Sequence, residues 1–436
     1  MLERLFKLKE NNTNVRTELF AGLTTFITMA YIIFVNPAIL SNAGMDFGAV
    51  LVATCIASAL ATLMMGLIAN YPFALAPGMG LNAYFTFTVA LGLGLGYEAA
   101  LAAVFISGLM FILLTVTRGR EAIINSIPMS LKLAVGAGIG LFIAFIGFKS
   151  AGIIVPYEPT LVKLGDMSDP KVLLAVFGLL LTSILVVKKV RGSLLIGILI
   201  TTIAGMIFRI TPAPASFAAL FSAPPSLKHF GDFAVGMDSL FKLGFAAIPI
   251  IFSFAFVDVF DTVGTLTGVA SKAKMLDQDG KLPRVNRAFV ADAVGTVAGA
   301  ALGTSTVTTY IESAAGVAEG GRTGLTAVVT GVLFLAALFI SPLAALVPAQ
   351  ATAPILIIVG VFMMEPIMKI NFEDYIEAIP AFFAFVMMPF TFNIAEGIVW
   401  GILAYVALNL AVRRFDRISS TMYILSALFV LRFILR

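Results

Sequence analysis

Residues 74–84 read Ala74-Leu75-Ala76-Pro77-Gly78-Met79-Gly80-Leu81-Asn82-Ala83-Tyr84, which sets a proline, two glycines and an asparagine in the middle of an apolar run. Continuous helix is not expected there, because proline lacks the N–H the helical ladder needs and glycine is a weak helix former. A second interruption comes at Gly303-Thr304-Ser305-Thr306-Val307-Thr308-Thr309-Tyr310-Ile311-Glu312-Ser313. Its small hydroxyl and β-branched residues suit a short extended stretch ahead of a half-helix. Almost everything around these two segments is apolar: 60% of the 436 residues are hydrophobic and 12% are charged, against roughly 25% charged in a soluble domain. Apolar stretches of about 20 residues, the length that crosses a bilayer core, follow one another along the chain. The fold class read from this pattern is an all-α integral membrane protein. Irregular backbone at mid-membrane survives only where protein or a cavity surrounds it, so paired interruptions mark a binding site in carriers. Two short extended pieces can also hydrogen-bond each other and aim both half-helices at a ligand.

Hydropathy with Gly and Pro punctuation predicts about fourteen transmembrane segments. They are 18–39, 47–69, 74–94, 98–117, 131–148, 171–188, 193–209, 244–267, 286–303, 305–319, 322–341, 343–364, 373–391 and 394–412. The stretch from Thr421 to Arg436 is apolar, short and Arg-tipped, and suits either the membrane interface or packing against the bundle. Basic and polar residues from Arg4 to Arg16 precede a first apolar run with no small-residue cleavage site, which reads as an uncleaved first helix. An even count sorts most of the 28 Lys and Arg residues onto the side holding both termini, including Arg118, Arg120, Lys132, Lys188, Lys189, Arg191, Lys272, Lys274, Lys281, Arg284 and Arg287. Only Lys149, Lys163, Lys171, Arg209, Lys228 and Lys242 fall on the other side. That asymmetry predicts cytoplasmic N- and C-termini.

The halves of the chain carry a weak internal similarity. Gly108-Leu109-Met110-Phe111 aligns with Gly331-Val332-Leu333-Phe334, and Pro128, Gly140 and Phe142 align with Pro348, Gly360 and Phe362. With seven spans per copy, an odd number, the second repeat must lie inverted relative to the first. The expected organisation is a first repeat over 1–209, an external linker over 210–243, a second repeat over 244–412 and an interfacial or cytoplasmic tail over 413–436.

Acids inside spans cost about 2.5 to 3.5 kcal/mol each at a helix centre and so call for a role. The eighth span carries Phe256-Val257-Asp258-Val259-Phe260-Asp261, whose two acids at i and i+3 share a helical face. The ninth span carries Asp292 and the tenth Glu312. No Lys or Arg lies deep in any expected span, so no internal salt bridge is expected to neutralise them. A buried carboxylate in that setting is a natural proton acceptor, the chemistry a proton-coupled carrier needs. His229, the sole histidine, falls in an expected external loop, where a surface role is expected rather than proton coupling. Cys55 sits in an apolar run, so no intramolecular disulfide is available and a packing role is expected.

At these residues the sequence resembles the nucleobase:cation symporter-2 superfamily, and within it the adenine/guanine/hypoxanthine permease branch. The resemblance spans essentially the whole chain. It rests on Thr17-Glu18-Leu19-Phe20-Ala21-Gly22-Leu23-Thr24-Thr25-Phe26, on Ala76-Pro77-Gly78-Met79-Gly80-Leu81-Asn82-Ala83, on Val257-Asp258-Val259-Phe260-Asp261-Thr262-Val263-Gly264-Thr265 and on Thr308-Thr309-Tyr310-Ile311-Glu312-Ser313. It implies two inverted seven-span repeats, core and gate domains each drawn from both repeats, and a site between broken spans three and ten. It also implies alternating-access uptake of purine bases in the plasma membrane; the acids without basic partners favour protons over sodium as the coupling ion, and relatives of this kind are often dimers, which leaves a homodimer open. By motif match it assigns substrate contact to Asp258 and Glu312, support to Asn82 and Asp261, and a core hydrogen-bonding role to Asp292. Such a heterocycle needs convergent donors and acceptors, which Asp258, Glu312 and Asn82 supply, and aromatic faces, for which Tyr310, Phe256, Tyr84 and Phe260 are candidates. The sequence departs from the uracil branch, which resembles Gly-Glu-Asn where this chain has Ile311-Glu312-Ser313. It departs from the xanthine and urate branch, which has Gln in place of Glu312. The histidine that some uracil carriers place in the eighth span is also absent.

An inorganic anion transporter or channel on the same inverted-repeat fold is the alternative, but Asp258 and Glu312 would repel an anion. No nucleophile–base pair, metal cluster, cofactor motif or phosphate-binding glycine loop argues for an enzyme. The net charge of +4 is spread through short connecting segments, which does not describe a nucleic-acid surface.

Overall fold

The structure, a computed structural model, describes residues 2–116, 127–214, 216, 220, 222–277 and 282–434. Arg118, Arg120, Lys281 and Arg436, and parts of the expected linker and of the fourth span's end, lie outside the described residues.

Among the described residues nine helices are long and apolar enough to cross a membrane: Val15–Ala43, Phe47–Ala69, Gly96–Val116, Met129–Ser150, Pro170–Val187, Gly244–Ser271, Gly324–Ala345, Ala349–Lys369 and Ile394–Ala411. Of the other five expected segments, four fall on shorter or broken elements, at 75–92, Ser193–Ile207, 307–318 and Tyr375–Thr391, and the fifth on Val285–Leu302, an unbroken helix of 18 residues that is less apolar. The mostly helical membrane fold is therefore as expected, with short extended stretches at the two interruptions.

The chain forms two compact units, Met1–Ile112 with Gly147–Ile355, and Leu113–Ile146 with Leu356–Arg436. The elements that matter below all belong to the first unit: α1 (Val15–Met29), α2 (Ile32–Leu40), α3 (Phe47–Met64), β1 (Leu75–Pro77), α4 (Met79–Ala83), α5 (Ala247–Lys272), α6 (Val285–Leu302), β2 (Val307–Thr309), α7 (Ser313–Ala318) and α8 (Gly324–Ala337). After α4 the helix widens to a π-type winding over Tyr84–Gly92.

Small residues let the helices of this unit approach closely, as association in lipid requires. A side chain at Gly324 would run into the backbone of Gly66, and one at Gly22 into Val329 and the Thr326 carbonyl, so α8 lies tight against both α1 and the helix of α3. Gly316 of α7 likewise faces the Ala21 carbonyl of α1. Cys55 is fully buried, in keeping with a packing role.

The first expected span is itself jointed: α1 ends at Met29 and α2 begins at Ile32, with Ala30 and Tyr31 in a tight turn between. At the joint the bonding tightens, with the Ile33 N–H on the Ala30 carbonyl and the Phe34 N–H on the Tyr31 carbonyl, and further on Pro37 inside α2 leaves the Ile33 carbonyl without its helical donor. In the second unit the C-terminal helix Ser420–Ile434 packs against Ile394–Ala411, with Trp400 and Phe433 rings 6.1 Å apart.

Candidate functional site

The two interruptions meet. β1 and β2 pair antiparallel with Leu75 opposite Thr309, Ala76 opposite Thr308 and Pro77 opposite Val307. The pairing is extended at both ends by the Tyr310 N–H donating to the Ala74 carbonyl and the Gly78 N–H to the Thr306 carbonyl, each at 2.9 Å. A two-stranded ribbon leaves unpaired groups on its outer edges, which at this depth must find partners. Two threonines supply them. Thr62 of α3 donates to the Leu75 carbonyl at 3.1 Å and accepts from the Leu75 N–H at 2.9 Å. Thr296 of α6 does the same for Val307, at 3.0 and 3.3 Å. The Ser313 hydroxyl accepts from the Ala74 N–H. Tyr310 donates its hydroxyl to the Pro77 carbonyl at 2.6 Å. These bonds account for why a sequence rich in threonine and poor in helix formers settles at mid-membrane.

The four expected acids divide into two sets. Asp258 and Asp292 are sealed, and each faces a threonine on the neighbouring helix: the Thr296 hydroxyl of α6, while bonding Val307, lies 3.4 Å from Asp258 Oδ2, and Thr262 of α5 donates to Asp292 Oδ1 at 2.9 Å. Each helix thus contributes an Asp and a Thr one turn apart, and the two contacts run in opposite directions between α5 and α6. Asp261 and Glu312 are only partly covered. Asp261 is flanked by the Thr308 side chain of β2, and Gly78 leaves room beside its carboxyl. Glu312 stands at the start of α7 and accepts at Oε1 from the Tyr31 hydroxyl at 2.6 Å. The structure thus sets Glu312 against Tyr31 and Asp261 beside Thr308 of β2, while Asp258, which the sequence singled out beside Glu312, faces α6.

The remaining candidates lie on α4, α5 and the winding after α4. Asn82 is buried and its Oδ1 accepts from the Ser305 hydroxyl, so its amide carbonyl links α4 to the segment before β2. Phe256 is buried in a ladder with Phe252 and Phe260 along one face of α5, ring centroids 5.5 and 4.5 Å apart. Tyr84 packs edge-on to Phe254 at 4.8 Å.

Sequence reasoning missed Tyr31, Thr62, Thr296 and Glu18. The threonines look like any β-branched residue of an apolar helix, and Tyr31 carries no charge to draw notice. Glu18 was legible as a buried acid in an expected span. Its carboxylate accepts from the N–H groups of Arg322, Thr323 and Thr326 and from the Thr326 hydroxyl, capping the start of α8. His229 is a correction to the expected surface role. It is 7% exposed, its Nε2 accepts from the Asp46 N–H at 2.8 Å and its Nδ1 donates to Asp232 at 2.9 Å. The loop is tied down because its backbone also bonds to α6, with the Gly231 N–H on the Ala301 carbonyl.

Comparison with known proteins gives consistent results. A profile of the Permease family matches residues 16–399. The chain is 55% identical over 433 residues to a putative permease of Methanocaldococcus jannaschii, covering 99% of this chain and 98% of that one. It is 47% identical to the guanine/hypoxanthine permease PbuG of Bacillus subtilis, over 99% of each chain. It is 45% identical to the adenine permease AdeP of Escherichia coli, over 100% of this chain and 96% of that one. Among solved structures, the transmembrane domain of the cyanobacterial bicarbonate transporter BicA superposes with a TM-score of 0.64 at 15% identity, covering 89% of this chain and 97% of that one. That likeness is one of fold.

Proposed function

The chain belongs to the Permease family, and on that premise we propose that it takes purine nucleobases, namely adenine, guanine or hypoxanthine, across the plasma membrane together with protons. The observation that supports this reading is the antiparallel ribbon formed by the two broken segments, with Asp261 beside its Thr308 and Glu312 just past its end, held by the Tyr31 hydroxyl. Relatives along the full chain bear the names of adenine and guanine/hypoxanthine permeases.

A neutral purine presents ring N–H donors and ring nitrogen acceptors along its edges. Carboxyl oxygens of Glu312 and Asp261 accept from the donors, and either carboxyl, once protonated, donates to a ring nitrogen. Asp258, Asn82, Tyr310 and Phe256 frame this site. A carboxyl that has taken up a proton gains a donor for the ligand, so proton uptake and ligand binding favour each other. Loading occurs from outside and release inside, by alternating access of two inverted seven-span repeats (1–209 and 244–412, with the linker and tail between and after them) and with both termini cytoplasmic. The reading extends to the homodimer that the family resemblance leaves open. Inorganic anions fit less well, because the same two carboxyls repel them.

The test is uptake of radiolabelled hypoxanthine by proteoliposomes carrying the purified protein, with unlabelled adenine, guanine, xanthine, uracil and bicarbonate as competitors. Competition by the purines of this branch and not by uracil or bicarbonate is expected. Absence of any purine uptake, with bicarbonate flux in its place, overturns the proposal.

A further inference from the structure

Glu312 is held from a direction that neither the broken segments nor the neighbouring acids supply. Tyr31 lies in the joint between α1 and α2, is 1% exposed, and places its hydroxyl 2.6 Å from Glu312 Oε1. The same segment reaches the Glu312 backbone through the Thr28 hydroxyl, at 3.5 Å from the carbonyl oxygen. Behind the acid, Gly316 lets α7 settle onto the Ala21 carbonyl of α1. The jointed first span thus holds the side chain of a residue that is itself only partly buried.

A carboxyl has two oxygens, and a phenol that occupies one of them does two things. It stops rotation about the last side-chain bond, which is otherwise soft and roughly two-fold. It also assigns the oxygens separate tasks, Oε1 accepting from Tyr31 and Oε2 remaining for the ligand or for a proton. A short hydrogen bond to a carboxyl is among the stronger ones available to a protein.

We propose that Tyr31 is the positioning residue of the transport site, orienting Glu312 through the O–H···Oε1 bond so that one defined oxygen faces the purine. This rests on the reading of Glu312 as a ligand contact. Tyr31→Phe keeps the ring that packs in the joint and removes only the hydroxyl, so the fold is retained. The expected result is a rise in the KM for hypoxanthine of about ten-fold, the scale of a lost hydrogen bond to a charged group, with Vmax per transporter within about two-fold. A structural role would instead lower the amount of folded protein or Vmax and leave KM alone.

The experiment is hypoxanthine uptake by proteoliposomes of wild type, Tyr31→Phe, Glu312→Gln, Glu312→Ala and the Tyr31→Phe/Glu312→Ala double variant, normalised to reconstituted protein. Glu312→Ala leaves the Tyr31 hydroxyl no acceptor on that side chain, so if Tyr31 acts through Glu312, adding Tyr31→Phe to Glu312→Ala changes residual binding, read by hypoxanthine protection against thermal unfolding, by less than half of its effect in the wild-type background. An unchanged KM in Tyr31→Phe, or a fully additive effect in the double variant, overturns the proposal. Wild-type transport by Glu312→Gln instead removes the reading of Glu312 itself, whatever Tyr31→Phe does.

Discussion

The hydroxyl of Thr262 donates to Oδ1 of Asp292 at 2.9 Å, and one turn along the same two helices the Thr296 hydroxyl lies 3.4 Å from Oδ2 of Asp258. The Thr262 bond fastens α5, which carries Asp261, to α6, whose Thr296 also holds the edge of β2. Truncating Asp292 leaves the Thr262 hydroxyl without its acceptor in a sealed space, at a cost of about 1 to 3 kcal/mol. Asp292→Ala is therefore expected to lower the unfolding midpoint of the detergent-purified protein clearly more than Asp292→Asn, which keeps an acceptor oxygen. Equal midpoints for the two variants argue against the crossbar.

The close approach of α8 depends on the absence of a side chain. A methyl group at Gly324 meets the Gly66 carbonyl and Cα, and neither is a flexible side-chain end that can swing aside. Gly324→Ala is expected to destabilise the first unit by about 1 to 3 kcal/mol or more, seen as a lower midpoint and reduced yield from membranes. Wild-type yield and midpoint contradict this packing.

Glu18 satisfies three backbone N–H groups and a hydroxyl at the start of α8. Glu18→Ala strands all four donors, whereas Glu18→Gln keeps one acceptor oxygen. The expected order of thermal stability is wild type, then Gln, then Ala, with Ala lost from the membrane fraction first. A Glu18→Ala protein as stable as wild type rules out the cap.

Asp46 gives a pH dependence with a defined sign. Its hydrogen bond from Lys228, and then that from the Ala49 N–H, hold its carboxyl below the usual carboxylate range. A folded-state value below the unfolded one stabilises fully above the unfolded value and is lost as pH falls through the folded value. Asp46→Asn is therefore expected to flatten the acid limb of the stability curve below about pH 4. Near neutral pH it should change little, because Asn also caps helices and a half-exposed ion pair contributes little. Unfolding midpoints of both proteins across that range provide the check. A steeper acid limb in Asp46→Asn has the wrong sign.

The membrane fold and the two broken segments were legible because a bilayer punishes irregular backbone, so Pro77, Gly78 and the threonine run of 304–309 stand out against apolar sequence. Their pairing was legible for the same reason, since two unsatisfied strands at one depth have few other partners. The acids were found by their cost, but cost alone does not say which way a side chain faces. Asp258 and Asp261 sit three residues apart, and only the structure shows the first turned to Thr296 and the second beside Thr308. Tyr31 was invisible because a phenol in an apolar helix costs little and so raises no question. His229 was misread because a place in a loop between expected spans says nothing of whether that loop folds back onto α6.

The most direct measurement is proton movement during transport, followed with a pH-sensitive dye inside proteoliposomes when hypoxanthine is added outside. The wild-type protein is predicted to acidify the lumen in step with hypoxanthine entry, and Glu312→Gln to do neither. Entry of hypoxanthine with no pH change, at the same rate in wild type and Glu312→Gln, contradicts the account.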